Sequence, residues 1–164
     1  MNSHNNYKAL PSVDKRCFGC SVNNPYGLQM KFFTDEESLF SWVTVPDHLC
    51  GWGNLVHGGV ISTILDEVMS WAAIYLLKKI ILTKSMTVDF IKPVYIGNEI
   101  KAVGKVLQFN NDREATMEGL IYNNKGKLCA KSTGTYSLFT PETIKRLGLI
   151  DQEVLNNFEI ILKE

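Results

Sequence analysis

The sequence predicts an α+β fold in which one long central helix is wrapped by an antiparallel sheet of about six strands. Three observations carry this reading. One apolar stretch, Val60 to Leu77, repeats at three- and four-residue steps through Val60, Ile64, Leu65, Val68, Met69, Ala72, Tyr75 and Leu76. Two runs rich in aromatic and β-branched residues precede it, and four follow. The later runs are separated by short turn-forming segments, which predicts an antiparallel meander. The length of 164 residues suits one domain that buries its own core.

Taken in order, residues 1–16 read as irregular. Leu28 to Phe33 and Leu39 to Val45 read as a strand pair around the acidic turn Asp35-Glu36-Glu37, and Pro46 ends the second strand. A glycine-bearing loop runs from His48 to Gly59. The apolar stripe of the helix is wide, so other elements should cover it. Lys78 and Lys79 are expected in its last turn, where the helix dipole favours cations. Strands are expected at Ile81–Lys92, Glu99–Phe109, Ala115–Tyr122 and Leu128–Phe139. Thr140 and Pro141 open a short helix, and Asp151 caps a last one ending at Lys163. The chain thus divides into an irregular segment (1–16), a main domain (17–140) and a short helical appendage (141–164).

Composition narrows the function classes. Lys plus Arg and Asp plus Glu each number 17, so there is no basic excess of the kind nucleic-acid binding needs. Val60–Leu77 approaches the length of a membrane span, yet Asp66 and Glu67 sit near its centre. Each would cost about 2.5–3.5 kcal/mol on insertion, so a buried core helix is the better reading. The polar N-terminus lacks an apolar leader core, and the four cysteines are sparse, which favours a reduced, cytoplasmic protein. Cys17 and Cys20 form the only C-x-x-C pair; with no second pair, no metal site is expected. His48 and His57 have no third ligand nearby in sequence. Gly-x-Gly-x-x-Gly, P-loop and Gly-x-Ser-x-Gly motifs are absent, so no organic cofactor is expected.

Three features can carry chemistry. His57-Gly58-Gly59 stands where loop becomes helix. Unpaired N–H groups there can hold an anion or an oxyanion; a plain tight turn is the alternative. Asp66 lies seven residues beyond Gly59, two helical turns, and so on the same side of the helix. A carboxylate in an apolar helix suits a general base or nucleophile; a solvated edge shared with Glu67 is the alternative. Glu67 points about 100° away, so the two acids should not serve one site. Thr83, followed by Lys84 and Ser85, opens the next strand, where a hydroxyl could hold water or a carbonyl; it could equally be an ordinary strand threonine.

Together these residues resemble the hotdog-fold acyl-CoA thioesterases, in particular the PaaI-like branch. The resemblance runs from Cys17 to about Leu138. It rests on His57-Gly-Gly-Val-Ile-Ser-Thr-Ile-Leu-Asp66-Glu, on Thr83-Lys-Ser-Met-Thr-Val-Asp-Phe-Ile-Lys-Pro93-Val-Tyr-Ile-Gly97, and on Cys17-Phe-Gly-Cys20 with Asn24-Pro25-Tyr-Gly27-Leu28. It implies a strand-wrapped helix, a homodimer or homotetramer with shared active sites, and hydrolysis of acyl-CoA. Asp66 would activate water or attack the carbonyl, Gly58 N–H would hold the oxyanion, His57 would position the thioester and Thr83 would assist. Gly59, Asn54, Lys84 and Ser85 would help bind substrate. Some relatives carry an amide in the loop before the His-Gly-Gly; here that stretch is Leu49-Cys50-Gly51.

Helix geometry agrees with a shared site, because Gly59 and Asp66 are about 10 Å apart along the axis. Two other functions compete: a non-catalytic module that binds acyl-CoA or acyl-carrier protein, and a hydroxyacyl-thioester dehydratase.

Overall fold

A computed structural model describes residues 7–163. The short strands β1 (Lys8–Ala9) and β2 (Phe33–Thr34) lead to β3 (Leu39–Thr44). Helix α1 (Gly58–Leu77) follows, then β4 (Ile80–Phe90), β5 (Glu99–Asn111), β6 (Glu114–Asn123) and β7 (Leu128–Phe139). Helices α2 (Pro141–Leu147) and α3 (Gln152–Lys163) close the chain. The sheet order is β1-β2-β3-β5-β6-β7-β4, with every neighbouring pair antiparallel.

The α+β reading holds, with four local corrections. Leu28–Phe32 stays outside the ladder, because its amides serve the N-terminal loop: Leu28 N–H donates to Phe18 O (2.9 Å) and Met30 N–H to Gly19 O (3.0 Å). Lys8–Ala9 adds a strand to the segment expected to be irregular; residues 1–6 lie outside the described part. Lys78 follows the helix as a left-handed C-cap (φ 53°), so neither lysine lies in the last turn. Of the four strands after α1, only β5, β6 and β7 form a meander. β4 crosses to the far side, pairs with β7 and becomes an edge.

Glycines set the depth at which α1 lies. Gly104 on β5 faces Gly119 on β6. A Cβ at Gly104 would stand 2.2 Å from Val68 O on the helix, and one at Gly119 would stand 3.0 Å from Met69 Cγ. Only bare backbone lets the helix sit this close. Ile64, Leu65, Val68, Met69 and Ala72 are fully buried there, consistent with the wide apolar stripe. Gly58–Leu77 is long and apolar enough to cross a membrane, but 11 of its 20 residues are buried in this core.

The face of α1 turned from the sheet is covered by the N-terminal segment and α3. Asn157 Nδ2 donates to Val13 O (2.9 Å), Arg16 pairs with Asp151 (2.7 Å), and Phe158 packs beside Trp71 (6.4 Å between ring centres). Thr140 caps α2, accepting from Thr143 N–H at 3.3 Å. Asp151 O accepts from Leu155 N–H at the start of α3.

Candidate active site

Asp66 stands two turns into α1, partly buried, and points at the sheet. Its Oδ1 accepts two hydroxyl protons, from Thr83 Oγ1 (2.9 Å) and Tyr136 OH (3.0 Å). The sheet delivers both donors from one rung, since Thr83 on β4 is the register partner of Tyr136 on β7. The next ladder step shifts register between Thr83 and Ser85, leaving Lys84 as an extra residue. Such a bulge re-aims neighbouring side chains. Here Thr83 meets the helix, while Lys84 turns to an ion pair with Glu114. Burial first, and then the Asp66 carboxylate, hold the Tyr136 phenol well above the usual tyrosine range, so it remains a donor.

Asp66 and Thr83 open onto a cavity of about 250 Å3. Its apolar wall includes Trp71, Ile74, Ile80, Ile81 and Phe158. Glu67 lines it too, against the expectation that the two acids would face separate sites. Asp66 is held from the sheet side, whereas Glu67 meets the N-terminal loop, with its Oε1 3.6 Å from Cys17 Sγ. Burial above all, helped by the charges of Cys17 and Asp66, pushes the Glu67 carboxyl up to about 8. The Cys20 thiol, 2.7 Å away, bonds to Cys17 and lowers it to about 6; amides of Cys20 and Gly19 add to the effect. Cys20 is pushed up, by giving its proton to Cys17 and by burial.

At the other end, His57 is the N-cap of α1, and its Nδ1 accepts from Gly59 N–H at 3.0 Å. That bond leaves Nε2 as the protonated ring nitrogen of a neutral imidazole. It also occupies the Gly59 amide. Gly58 N–H, the first of the helix, has no intrahelical carbonyl to reach. A shallow hollow of about 330 Å3 opens there between Gly58, Leu55 and Phe90. Ser62 and Thr63 donate back to the Gly58 and Gly59 carbonyls at 3.0 Å, so these hydroxyls serve the helix.

The structure therefore joins Asp66 with Thr83 and leaves Gly58 and His57 at a second opening on the same helix. Lys84 is paired with Glu114, Ser85 is exposed on β4, and Asn54 is exposed in the loop, its carbonyl held by Ile96 N–H at 2.8 Å. Tyr136 is the site residue that sequence reasoning missed. Its signal was present in the alternation of β7, where residues 130, 132, 134, 136 and 138 face inward. An inward tyrosine needs a partner for its hydroxyl.

Comparison with known proteins agrees with this architecture. Residues 53–130 match the Thioesterase superfamily. The fold around them is the hotdog fold. Thioesterase HI1161 from Haemophilus influenzae superposes with a TM-score of 0.65 at 19% identity, over 74% of this chain and 85% of that one. The E. coli PaaI protein of the phenylacetic acid degradation operon gives 0.62 at 17% identity, over 69% and 81%. A hypothetical thioesterase from Streptococcus pneumoniae, solved with coenzyme A, gives 0.58 at 16% identity, over 63% and 79%. Among curated proteins, the Lecanicillium verlamelin biosynthesis protein B is 24% identical over 152 residues, 70% of this chain. An uncharacterized Schizosaccharomyces pombe protein is 29% identical over 92 residues, 54% of this chain. The matches span 66% and 53% of those two relatives' lengths. The hotdog helix is thus the part of the chain that both the family match and the site share.

Proposed function

We propose that the protein hydrolyses thioesters of coenzyme A, acyl-CoA plus water giving a carboxylic acid and CoA. The observation that carries this reading is the Asp66 carboxylate, held by two hydroxyl donors on the wall of a largely apolar cavity. Thr83 and Tyr136 both bond Oδ1, which leaves Oδ2 for a water. Asp66 takes a proton from that water as the oxygen attacks the thioester carbonyl. The carbonyl oxygen gains the negative charge, and a helix N-terminal amide such as Gly58 N–H is the group suited to receive it. Collapse of the tetrahedral intermediate expels the CoA thiolate, which takes up a proton. The coenzyme A bound to the pneumococcal protein supports CoA as the carrier.

Because Gly58 and Asp66 open at different points of one helix, we assign each active site to two chains of a homo-oligomer, one giving the acid and the other the amide. The test is release of free CoA thiol from a panel of short-chain, long-chain and aryl-CoA thioesters. Turnover with at least one substrate, lost in Asp66→Asn, is expected. Saturable acyl-CoA binding without turnover would instead favour a non-catalytic binding protein. That second reading draws on Leu49-Cys50-Gly51, which offers no side-chain amide before His57.

A further inference from the structure

A second reactive cluster lies on the same cavity wall, and the thioesterase reading makes no use of it. Cys17 Sγ, Cys20 Sγ and a Glu67 carboxylate oxygen all lie within 4.8 Å of one another. The cluster joins residues about fifty positions apart, and its loop is shaped for the contact. Cys20 N–H points at Cys17 Sγ from 3.2 Å, the kind of outer bond that supports a ligating thiolate. A Cβ at Gly19 would stand 2.3 Å from the Glu67 side chain, so glycine lets the loop close over that acid with its side chain placed as it is. The bonds Leu28 N–H to Phe18 O and Met30 N–H to Gly19 O fix the loop from behind. Two thiols and a carboxylate converge here, with Asp66 adjacent. Among the described residues no ion pair involves Glu67.

We propose that Cys17, Cys20 and Glu67 bind one divalent cation of the borderline-soft class, best matched by zinc, with a fourth position facing the cavity. Thiolate donors select zinc over magnesium or calcium. Bond lengths of about 2.3 Å to sulfur and 2.1 Å to oxygen at a tetrahedral angle put the two donors about 3.6 Å apart. The Cys17 Sγ to Glu67 Oε1 separation is 3.6 Å. The two sulfurs, now 2.7 Å apart, would open to about 3.8 Å by rotation of the Cys20 side chain. The ion displaces the protons of the ligating thiols and carboxyl and supplies the charge that then balances them. It ties the N-terminal loop to α1 one residue past Asp66, and so holds that wall of the cavity. A Cys17–Cys20 disulfide is the competing outcome, but it would give Glu67 no partner.

The test uses the full chain, reduced, stripped with a chelator, and re-equilibrated with Zn2+ or Co2+. About one zinc per chain is expected by elemental mass spectrometry, and Co2+ should give a sulfur-to-cobalt charge-transfer band that zinc abolishes. Cys50→Ser, outside the cluster, should retain the band, while Cys20→Ser should lose it. Folded wild-type protein with neither stoichiometric zinc nor the band would overturn the proposal, and this result needs no variant to fold. Cys17–Cys20 peptides isolated as a disulfide, from protein that takes up no metal after reduction, would overturn it in favour of a redox pair. The experiment reads metal alone, so its outcome is separate from whether acyl-CoA is hydrolysed.

Discussion

Replacing Asp66 by Asn separates chemistry from architecture more cleanly than any other change in this molecule. Oδ1 accepts hydroxyl protons from Thr83 and Tyr136 at 2.9 and 3.0 Å. An asparagine can place its carbonyl oxygen there and keep both bonds. Each bond loses its charge assistance, falling from about 1.5–3 to about 0.5–1.5 kcal/mol, while burial of a neutral amide costs less than burial of a carboxylate. The net loss should be about 1 kcal/mol, or about 2–4 °C in Tm for a domain of this size. The amide cannot take a proton from water, so kcat should fall about 10²–10⁴-fold with KM little changed. Thermal unfolding and CoA-thiol release, measured on the same preparation, read the two effects independently. A folded variant that keeps more than about a tenth of wild-type kcat would refute the assignment of Asp66 as base.

Three further outcomes follow from the same geometry. Thr83→Ala and Tyr136→Phe each remove one donor from Asp66, a loss of about 1–2 kcal/mol, so kcat should drop about 5–30-fold in each; unchanged kcat in both would show that the donors do not shape the acid. Gly104→Ala drives a Cβ to 2.2 Å from Val68 O, a helix backbone atom that cannot swing aside, and should cost at least about 1–3 kcal/mol in denaturant unfolding; an unshifted midpoint would contradict the packing of α1. Asp66→Asn and His57→Ala, each inactive alone, should recover roughly a quarter of wild-type activity when refolded together, because half of randomly formed dimers are mixed and each carries one undamaged site. Mixed dimers verified by mass spectrometry but still inactive would place the whole site within one chain.

The helix, the edges of most strands and the acid were legible in the sequence because each depends on local periodicity. Asp66 announces itself as a carboxylate inside an apolar stripe, and Thr83 as the hydroxyl that begins the next strand. The meeting of Tyr136 with Asp66 and Thr83 was not legible, because it spans 70 residues and rests on β4 pairing with β7. Short connections suggested that β4 would pair with β5, and that arrangement would have sent Thr83 elsewhere. The Cys17–Cys20–Glu67 cluster was hidden for a similar reason. A search for ligands along the sequence looks for cysteine and histidine at short spacing, and a glutamate on a distant helix turn enters only through the crossing at Gly19.

Strand β4 also bears on how two chains could complete one site. It runs antiparallel to α1, with Thr83 beside Asp66 at one end and Phe90 beside Gly58 at the other, where a Cβ on Gly58 would stand 3.6 Å from the Phe90 ring. It is also the edge of the sheet, with unpaired backbone groups and exposed Leu82 and Phe90. Antiparallel pairing of this edge with a second copy about a twofold axis near Met86 and Thr87 would set Thr83 of one strand opposite Phe90 of the other. The acid end of each helix would then lie against the amide end of its partner, twice over. A single backbone ladder would cover the exposed edge and bring together the two groups that α1 holds apart, so under the proposed reading assembly and catalysis depend on the same strand.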